Sequence, residues 1–171
     1  IPEIANTAKE LGVVVGYILL THRHFAHIMG LNSLKQALNA EAVICKDDLV
    51  ISDNVNEFTR LFGLPDSIPP VYEKYINDND IINVGELKIK VIHTPGHTEG
   101  GVCYLIEDKL FSGDTLFRES VGRTDFFGGS FEKLSDSIKN KLFKLDDNII
   151  VYPGHGDLTT IGHEKKYNIE V

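Results

Sequence analysis

The sequence is poor in the features that mark specialised protein classes. It has only two cysteines, Cys45 and Cys103, and both lie inside apolar runs, so buried free thiols are expected rather than a disulfide or a metal role. No apolar run approaches the ~20 residues needed to cross a bilayer, which argues against a membrane protein. Acidic residues outnumber basic ones 25 to 17, and the net charge of −8 argues against a nucleic-acid-binding surface.

The sequence as given contains no recognisable targeting signal. No signal peptide is recognisable, although the chain opens with Ile1 rather than Met, so its natural start is not marked. The low cysteine content favours a cytoplasmic location. At 171 residues, with 42% hydrophobic and 25% charged residues, the chain is expected to form a single domain, residues 1–171, with a substantial core.

Histidines are concentrated in one short stretch. His22, His24 and His27 follow the apolar run Tyr17-Ile18-Leu19-Leu20 and precede a helical pattern at residues 31–38. This order predicts a strand-to-helix loop, which is where open α/β sheets place ligands. His22 and His24 can converge on one point, whereas His27 is expected to face a second one. Neutral imidazoles at this spacing favour metal binding, and a solvated histidine-rich loop is the alternative.

Three more candidate ligands each follow a predicted strand. They are His97 in Pro-Gly-His-Thr, Asp114 in Ser-Gly-Asp-Thr and His155 in Pro-Gly-His-Gly. Four strands therefore end in a histidine or aspartate flanked by Gly or Thr, which predicts ligands converging at one edge of a sheet. Nitrogen and oxygen donors of this kind suit zinc, or iron and manganese when a carboxylate takes part.

These residues resemble a known family, the metallo-β-lactamase superfamily. Its motif His-x-His-x-Asp-His, followed by distant His, Asp and His, is matched by His22, His24, His27, His97, Asp114 and His155. The likeness runs from Ile18 to Asn168. The segments Gly113-Asp114-Thr115-Leu116-Phe117 and Gly122-Arg123-Thr124-Asp125-Phe126 look like those of the short bacterial hydroxyacylglutathione hydrolases (glyoxalase II).

Alternating strands and helices predict an α/β sandwich, and the resemblance implies a four-layer αββα sandwich with two sheets. The family normally begins with several strands before the first helix, and these are absent, so the fold is expected to be N-terminally truncated. Either the sequence begins late, or a reduced form exposes a sheet edge that could pair with another chain. The elements predicted from local patterns are a helix over 1–12, a buried strand over Val13–Leu20, a helix over 31–38, a strand over Ala42–Cys45, a helix N-cap at Asp47, an irregular loop over 64–80, a hairpin turn at 83–86, a helix beginning near Ser130 and a last helix from Thr160.

The resemblance also implies a function. It places one metal on His22, His24 and His97, and a second on His27, Asp114 and His155, with Asp114 bridging. The cofactor implied is zinc, one or two ions, with iron or manganese as alternatives. The reaction implied is hydrolysis of a small-molecule glutathione thioester of the S-lactoylglutathione class, with Asp114 and His27 as the catalytic residues. Neither a nucleic acid nor a membrane is expected as a partner.

One departure from the family matters for this function. Ala26 stands where the motif has its aspartate, which normally ligates the second metal and helps to hold the attacking water. Arg23 and Met29 also replace residues that are usually small. The loss of a negative charge predicts a weaker second site, and the loss of a proton acceptor predicts a slow enzyme, since general-base assistance commonly contributes ~10²–10⁴-fold.

Substrate contacts and alternatives remain at the level of hypotheses. Arg123 stands where larger relatives carry a lysine near the glutathione carboxylate, so it is a candidate substrate-binding residue; a structural pair with Asp125 is the alternative. His93 and His163 are expected to be non-ligands. A mononuclear iron dioxygenase resembling the persulfide dioxygenases, and a catalytically degenerate metal-binding relative, are the competing interpretations.

Overall fold

The computed structural model describes residues 2–50, 60, 63 and 68–171. The α-helices are α1 (Pro2–Glu10), α2 (Phe25–Ile28), α3 (Leu31–Leu38), α4 (Phe131–Asn140) and α5 (Ile161–Tyr167), and short 3-10 helices cover Lys46–Val50 and Leu142–Lys144. The strands are β1 (Tyr17–Leu19), β2 (Glu41–Cys45), β3 (Lys74–Ile76), β4 (Ile81–Val84), β5 (Leu87–His93), β6 (Val102–Ile106), β7 (Lys109–Gly113), β8 (Leu116–Phe117), β9 (Ser120–Val121), β10 (Ile150–Pro153) and β11 (Thr159–Thr160).

Two sheets contain most of the strands. The three-stranded sheet is parallel, in the order β1-β2-β3. The six-stranded sheet has the order β11-β10-β7-β6-β5-β4 and is antiparallel except between β7 and β10. Strands β8 and β9 form a separate hairpin. The parallel pairing of β7 with β10 matters for the site, because it brings the carboxyl ends of these two strands side by side.

The two sheets pack face to face because alternate residues of their strands are apolar. Val43 and Cys45 of β2 join Ile76 of β3 in one buried cluster. The same cluster contains Val91 of β5 and Val102 of β6, which belong to the other sheet. Since successive strand residues point to opposite faces, this cluster is the layer between the sheets.

Helices cover the two outer faces. Ala42 and Ile44, which alternate with the inward residues of β2, pack with Leu31 of α3. On the opposite side, Leu134 and Ile138 of α4 pack with buried residues of β6 and β7. The layers are therefore helix, sheet, sheet and helix, as the predicted αββα sandwich requires. None of the helices in the described part of the chain is long and apolar enough to cross a membrane.

Helix starts and the hairpin agree well with the sequence. The Ser130 side chain accepts a hydrogen bond from the backbone N–H of Lys133 at the start of α4. Thr160 does the same for the N–H of His163 at the start of α5. The turn predicted at 83–86 connects β4 to β5. In each case the signal is local, because a cap or a turn depends on residues only a few positions apart.

The strand predicted over Val13–Leu20 is wrong in its first half. Only the last part forms β1, and Val13 and Val14 are 54% and 95% exposed. The partner strand β2 begins at Glu41, whose N–H donates to the carbonyl of Gly16. Among the described residues, no strand of this sheet lies beside the residues before that point to complete a ladder, so their apolar pattern does not become a buried strand.

Two predictions between β2 and β4 are also corrected. The irregular loop predicted over 64–80 contains β3, which pairs with β2; residues 64–67 of that prediction lie outside the described residues. A three-residue strand has too short a pattern to be recognised, and here the neighbouring strand determines it. Asp47 is not a helix N-cap, since it lies inside the 3-10 helix Lys46–Val50.

Candidate metal centre

The predicted ligands come together at one end of the sandwich. His22 follows β1 and His97 follows β5, while Asp114 and His155 follow the parallel neighbours β7 and β10. His24 and His27 come from the loop after β1 and from α2. These elements are separated in sequence but end at the same edge, which is the arrangement that the strand-end pattern predicted.

His22, His24 and His97 form a compact cluster. Nδ1 of His24 lies 2.9 Å from Nε2 of His97. The ring centroid of His22 lies 5.0 Å from that of His24 and 4.8 Å from that of His97. One ring nitrogen from each histidine lies within 4.8 Å of the other two. Three imidazole nitrogens at this spacing can share a single ion and leave a fourth position open.

Asp114 lies between this cluster and the remaining histidines. Its Oδ2 is 3.6 Å from Nε2 of His97, 3.7 Å from Nε2 of His27 and 3.4 Å from Nε2 of His155. Ligand atoms of His22, His27 and Asp114 also lie within 4.8 Å of one another. The carboxylate therefore lies between two groups of histidines. His155 lies on the solvent-exposed side of the site, with 67% of its side chain exposed.

The electrostatics favour the protonation states that metal binding needs. Burial, reinforced by the neighbouring histidines, lowers the pKa of His22 to about 2 and that of His24 to about 4. Burial also lowers the pKa of His97. For Asp114, burial opposes ionisation, but the adjacent His27 and the other nearby imidazoles outweigh it and bring the pKa to about 2. At neutral pH, His22, His24 and His97 are thus neutral imidazoles and Asp114 is an ionised carboxylate, which are the states that bind a metal.

Hydrogen bonds from the protein orient two of the histidines. Nδ1 of His97 donates to the carbonyl of Arg123 at 2.7 Å, which leaves Nε2 with its lone pair directed at the cluster. Nδ1 of His22 lies 3.2 Å from Oγ1 of Thr21. Such partners fix the tautomer and the ring orientation of a metal-binding histidine.

Two buried atoms of the cluster support a bound metal. Nε2 of His22 and Oδ1 of Asp114 have no hydrogen-bond partner among the described residues. Buried polar atoms are nearly always paired, so unpaired atoms on two residues of a set of metal-type donors are consistent with a site that binds a metal. Gly154 packs closely against this carboxylate. A Cβ at position 154 would lie 2.2 Å from Oδ1 of Asp114, so any side chain there would clash with it. Imidazole nitrogens with one carboxylate fit zinc, iron or manganese.

The loop around Ala26 differs from the other parts of the site. Ala26 is exposed and has no atom that can bind a metal or accept a proton. Arg23 is buried, and its Nε donates to the hydroxyl of Tyr72 at 3.0 Å while Nη1 donates to the carbonyl of Leu49 at 3.3 Å. Met29 is 44% exposed. The large side chain of Arg23 is therefore accommodated inside the fold by its hydrogen bonds to Tyr72 and Leu49.

Arg123 lies beside the cluster and is paired with an acidic neighbour. Its Nε and Nη2 donate to the two carboxylate oxygens of Asp125 at 2.6 and 2.7 Å. Its guanidinium lies 4.0 Å from the ring centroid of Phe126, and that ring lies 5.3 Å from the ring of His24. The structural pair is thus present, and the contact of Arg123 with a substrate stays a proposal.

The other two histidines predicted to be non-ligands are engaged elsewhere. Nε2 of His93 lies 2.9 Å from the carbonyl oxygen of Glu99. Nε2 of His163 lies 2.8 Å from Oε1 of Glu119. Neither histidine belongs to the cluster around Asp114.

Sequence reasoning missed two residues near the site. Phe126 packs against His24, and Asp48, rather than its neighbour Asp47, accepts a hydrogen bond from the backbone N–H of Arg23. Asp48 is hydrogen-bonded to residues 25 and 52 positions away along the chain, so no local sequence pattern indicates its role. Phe126 could be found only as part of the segment Gly122–Phe126 that resembles the family.

Comparison with known families identifies the fold. The profile of the metallo-beta-lactamase superfamily matches residues 9–155. The chain belongs to this superfamily. The family and the metallo-β-lactamase-like fold inferred from the combined motifs are thereby confirmed.

Individual relatives cover nearly the whole chain. Hydroxyacylglutathione hydrolase GloC of Haemophilus influenzae is 35% identical over 164 residues, which is 94% of this chain and 77% of the relative. The solved structure of TTHA1623 in a di-iron-bound form has a TM-score of 0.86 and 32% identity, covering 99% of this chain and 84% of that one. ETHE1 from Myxococcus xanthus has a TM-score of 0.82 and 29% identity, covering 98% of this chain and 68% of that one.

Membership in the metallo-beta-lactamase superfamily supports a metal-binding protein with hydrolytic chemistry. The side chains gathered around Asp114 agree with that assignment, since they are donors of the types that hold catalytic metals. The di-iron form of one relative means that superfamily membership does not by itself fix the metal as zinc.

Proposed function

We propose that this protein is a metal-dependent hydrolase of glutathione-type thioesters, of the S-lactoylglutathione class. The observation that carries the proposal is the position of Asp114 Oδ2, within 3.4 to 3.7 Å of histidines from both groups. A bridging carboxylate of this kind is what a site for two adjacent metals requires. The thioester specificity is supported by the GloC relative, whose name gives that class of substrate.

The residues would be divided between two metal positions. His22, His24 and His97 would hold the first metal, and His27, Asp114 and His155 the second, with Asp114 shared. We propose zinc at both positions, with iron or manganese as alternatives. When bound by these residues, a metal would supply a water whose pKa is lowered to about 7 and would polarise the substrate carbonyl.

The remaining catalytic roles would belong to side chains of the protein. Asp114 is ionised at neutral pH. Together with His27, it would help to hold the attacking water in position. A thioester needs little help from a general acid, because its leaving thiolate is stable with little protonation. Ala26 provides no proton acceptor, so the proposed hydrolysis is slow unless water or a substrate group takes the proton.

For substrate binding we propose Arg123. Its guanidinium lies on Phe126, whose ring contacts His24, so a carboxylate bound there would lie beside the metal cluster. Asp125 competes for the same guanidinium through two hydrogen bonds. Both groups are largely exposed, so we expect the contribution of Arg123 to be a modest change in KM.

One alternative has a specific observation in its favour. His22, His97 and Asp114 could serve as the two-histidine, one-carboxylate set of a mononuclear iron oxygenase, and the relative solved in a di-iron-bound form supports iron as a metal for this site. This alternative does not need a residue at position 26. A non-catalytic metal-binding relative is the third possibility that the experiment below addresses.

The two cysteines bear on location. Cys45 and Cys103 are both buried and free. Free thiols fit a reducing compartment, and we propose the cytoplasm. Cell fractionation of the producing organism checks this directly.

The decisive experiment combines metal analysis with an activity assay. Protein purified without added metal is analysed for zinc, iron and manganese, and is then assayed for hydrolysis of S-lactoylglutathione. Two zinc ions with slow turnover support the proposed hydrolase. One iron per chain with oxygen consumption on a glutathione persulfide supports the dioxygenase instead, and sub-stoichiometric metal without either activity supports the non-catalytic alternative.

A further inference from the structure

We propose that Asp48 is a positioning residue of the metal centre, which holds the loop of His22 and His24 at a fixed distance from the loop of His97. Asp48 is fully buried, in the 3-10 helix that follows β2. This inference rests on the metal site and is independent of the substrate.

The two oxygens of Asp48 bind one loop each. Oδ2 accepts the backbone N–H of Arg23 at 2.7 Å, and Oδ1 accepts the backbone N–H of Gly100 at 2.7 Å. Arg23 lies between His22 and His24 in sequence, and Gly100 lies three residues after His97. One carboxylate therefore connects the backbones of both loops that supply the three-histidine cluster.

The contact between these segments leaves no free space. A Cβ on Gly100 would lie 2.2 Å from the backbone nitrogen of Asp48, so the His97 loop passes directly against the 3-10 helix. The same loops are also connected further back, where the N–H of Val102 donates to the carbonyl of Thr21 at 2.8 Å. The carboxylate adds a further connection between the two backbones, closer along the chain to the histidines, and so restricts the movement of one loop relative to the other.

The chemistry at Asp48 calls for a carboxylate rather than an amide. Both backbone partners are donors, so each needs an acceptor. Asparagine has the same shape but presents one acceptor and one donor, so one of the two N–H groups would face another donor in a buried place. Asp48→Asn therefore removes one connection while keeping the volume of the side chain.

The test compares Asp48→Asn with a matched control, Glu164→Gln. Glu164 is also a fully buried carboxylate; it accepts the N–H of Glu119 at 2.9 Å and the hydroxyl of Thr159. Metal-free full-length proteins are titrated with Zn²⁺ against a chelating indicator and with Co²⁺ by visible absorption. Unfolding of each metal-free protein by urea is measured in parallel.

We expect Asp48→Asn to lower the affinity for the first metal by about 10- to 100-fold, as loss of an outer hydrogen-bond partner of a metal site commonly does. The Co²⁺ absorption spectrum should change as well. We expect Glu164→Gln to keep the affinity for the first metal, whatever stability it loses. If Asp48→Asn is destabilised like the control and binds the first metal as tightly as the unmodified protein, Asp48 is only a structural residue and the proposal is overturned.

A second measurement decides the matter if Asp48→Asn does not fold. Amide hydrogen exchange in the unmodified, metal-free protein reports directly on the N–H groups of Arg23 and Gly100. Protection of both without metal supports loops already held by Asp48. Fast exchange of both, while the N–H of Val102 stays protected, overturns the proposal. None of these readouts involves thioester hydrolysis, so a failure here is distinct from a failure of the proposed function.

Discussion

Asp114 and His155 face each other across two neighbouring parallel strands, with Oδ2 of Asp114 3.4 Å from Nε2 of His155. The pairing of β7 with β10, in which Gly113 lies opposite Pro153, places the residues after these strands side by side. His155 is largely exposed whereas Asp114 is mostly buried, so this half of the site is open to solvent. Because solvent screens charges at an exposed position, Asp114 and His155 stabilise a bound metal ion less than a fully buried pair would.

The second metal is expected to bind more weakly than the first. Its proposed protein ligands are His27, Asp114 and His155, and Ala26 removes the carboxylate that the family places beside them. Titration of metal-free protein with Zn²⁺ against a chelating indicator should resolve two unequal affinities. Two equally tight ions would contradict the assignment.

The first metal is expected to depend on His97. His97→Ala removes one of three neutral nitrogens from a buried cluster, so the affinity should fall by more than the about 10- to 100-fold that loss of an outer partner costs. His163→Ala is the matched control, because His163 lies outside the cluster and contacts Glu119. Elemental analysis of both variants measures the effect. Unchanged metal content in His97→Ala would show that the site is elsewhere.

The sequence predicted those features that depend on neighbouring residues or on the ends of strands. The caps Ser130 and Thr160 and the turn at 83–86 are local, and the candidate ligands could be found because each follows a recognisable strand. Features that depend on distant partners were missed. Asp48 is an example, since its acceptor role exists only after two loops have come together.

The same reasoning explains the strand that was predicted too long. Val13 and Val14 have the composition of a strand, but β2 starts too late along the chain to lie beside them. We therefore expect Val14→Ala to change the free energy of unfolding by no more than about 0.5 kcal/mol. By contrast, Ile44→Ala, in the fully buried second half of β2, should cost about 2–5 kcal/mol.

Denaturant unfolding of the metal-free protein measures both variants under the same conditions. Near-UV circular dichroism of each variant serves as the control that it keeps its fold. A large loss of stability in Val14→Ala would mean that the segment before β1 is packed after all, as the sequence pattern predicted.

The surroundings of position 26 determine how its role is best tested. Restoring small residues at positions 23 and 29 together with an aspartate would copy the family loop. However, Arg23 donates to Tyr72 and to the carbonyl of Leu49, so Arg23→Gly would remove packing as well as bulk. The single change Ala26→Asp is therefore the cleaner experiment, because Ala26 is exposed and a larger side chain has room there.

Ala26→Asp is expected to raise kcat for a glutathione thioester by about 10²–10⁴-fold, with little change in KM. The new carboxylate would give the second metal another ligand and the attacking water a proton acceptor, and neither contribution involves distant substrate contacts. Ala26→Asn is the matched control, since it has the same shape but neither the charge nor the basicity, and its kcat should stay low. Metal content is measured beside each rate. If Ala26→Asp carries two metals and still does not hydrolyse the thioester, the substrate assignment is wrong, and oxygen consumption on a persulfide should be assayed next.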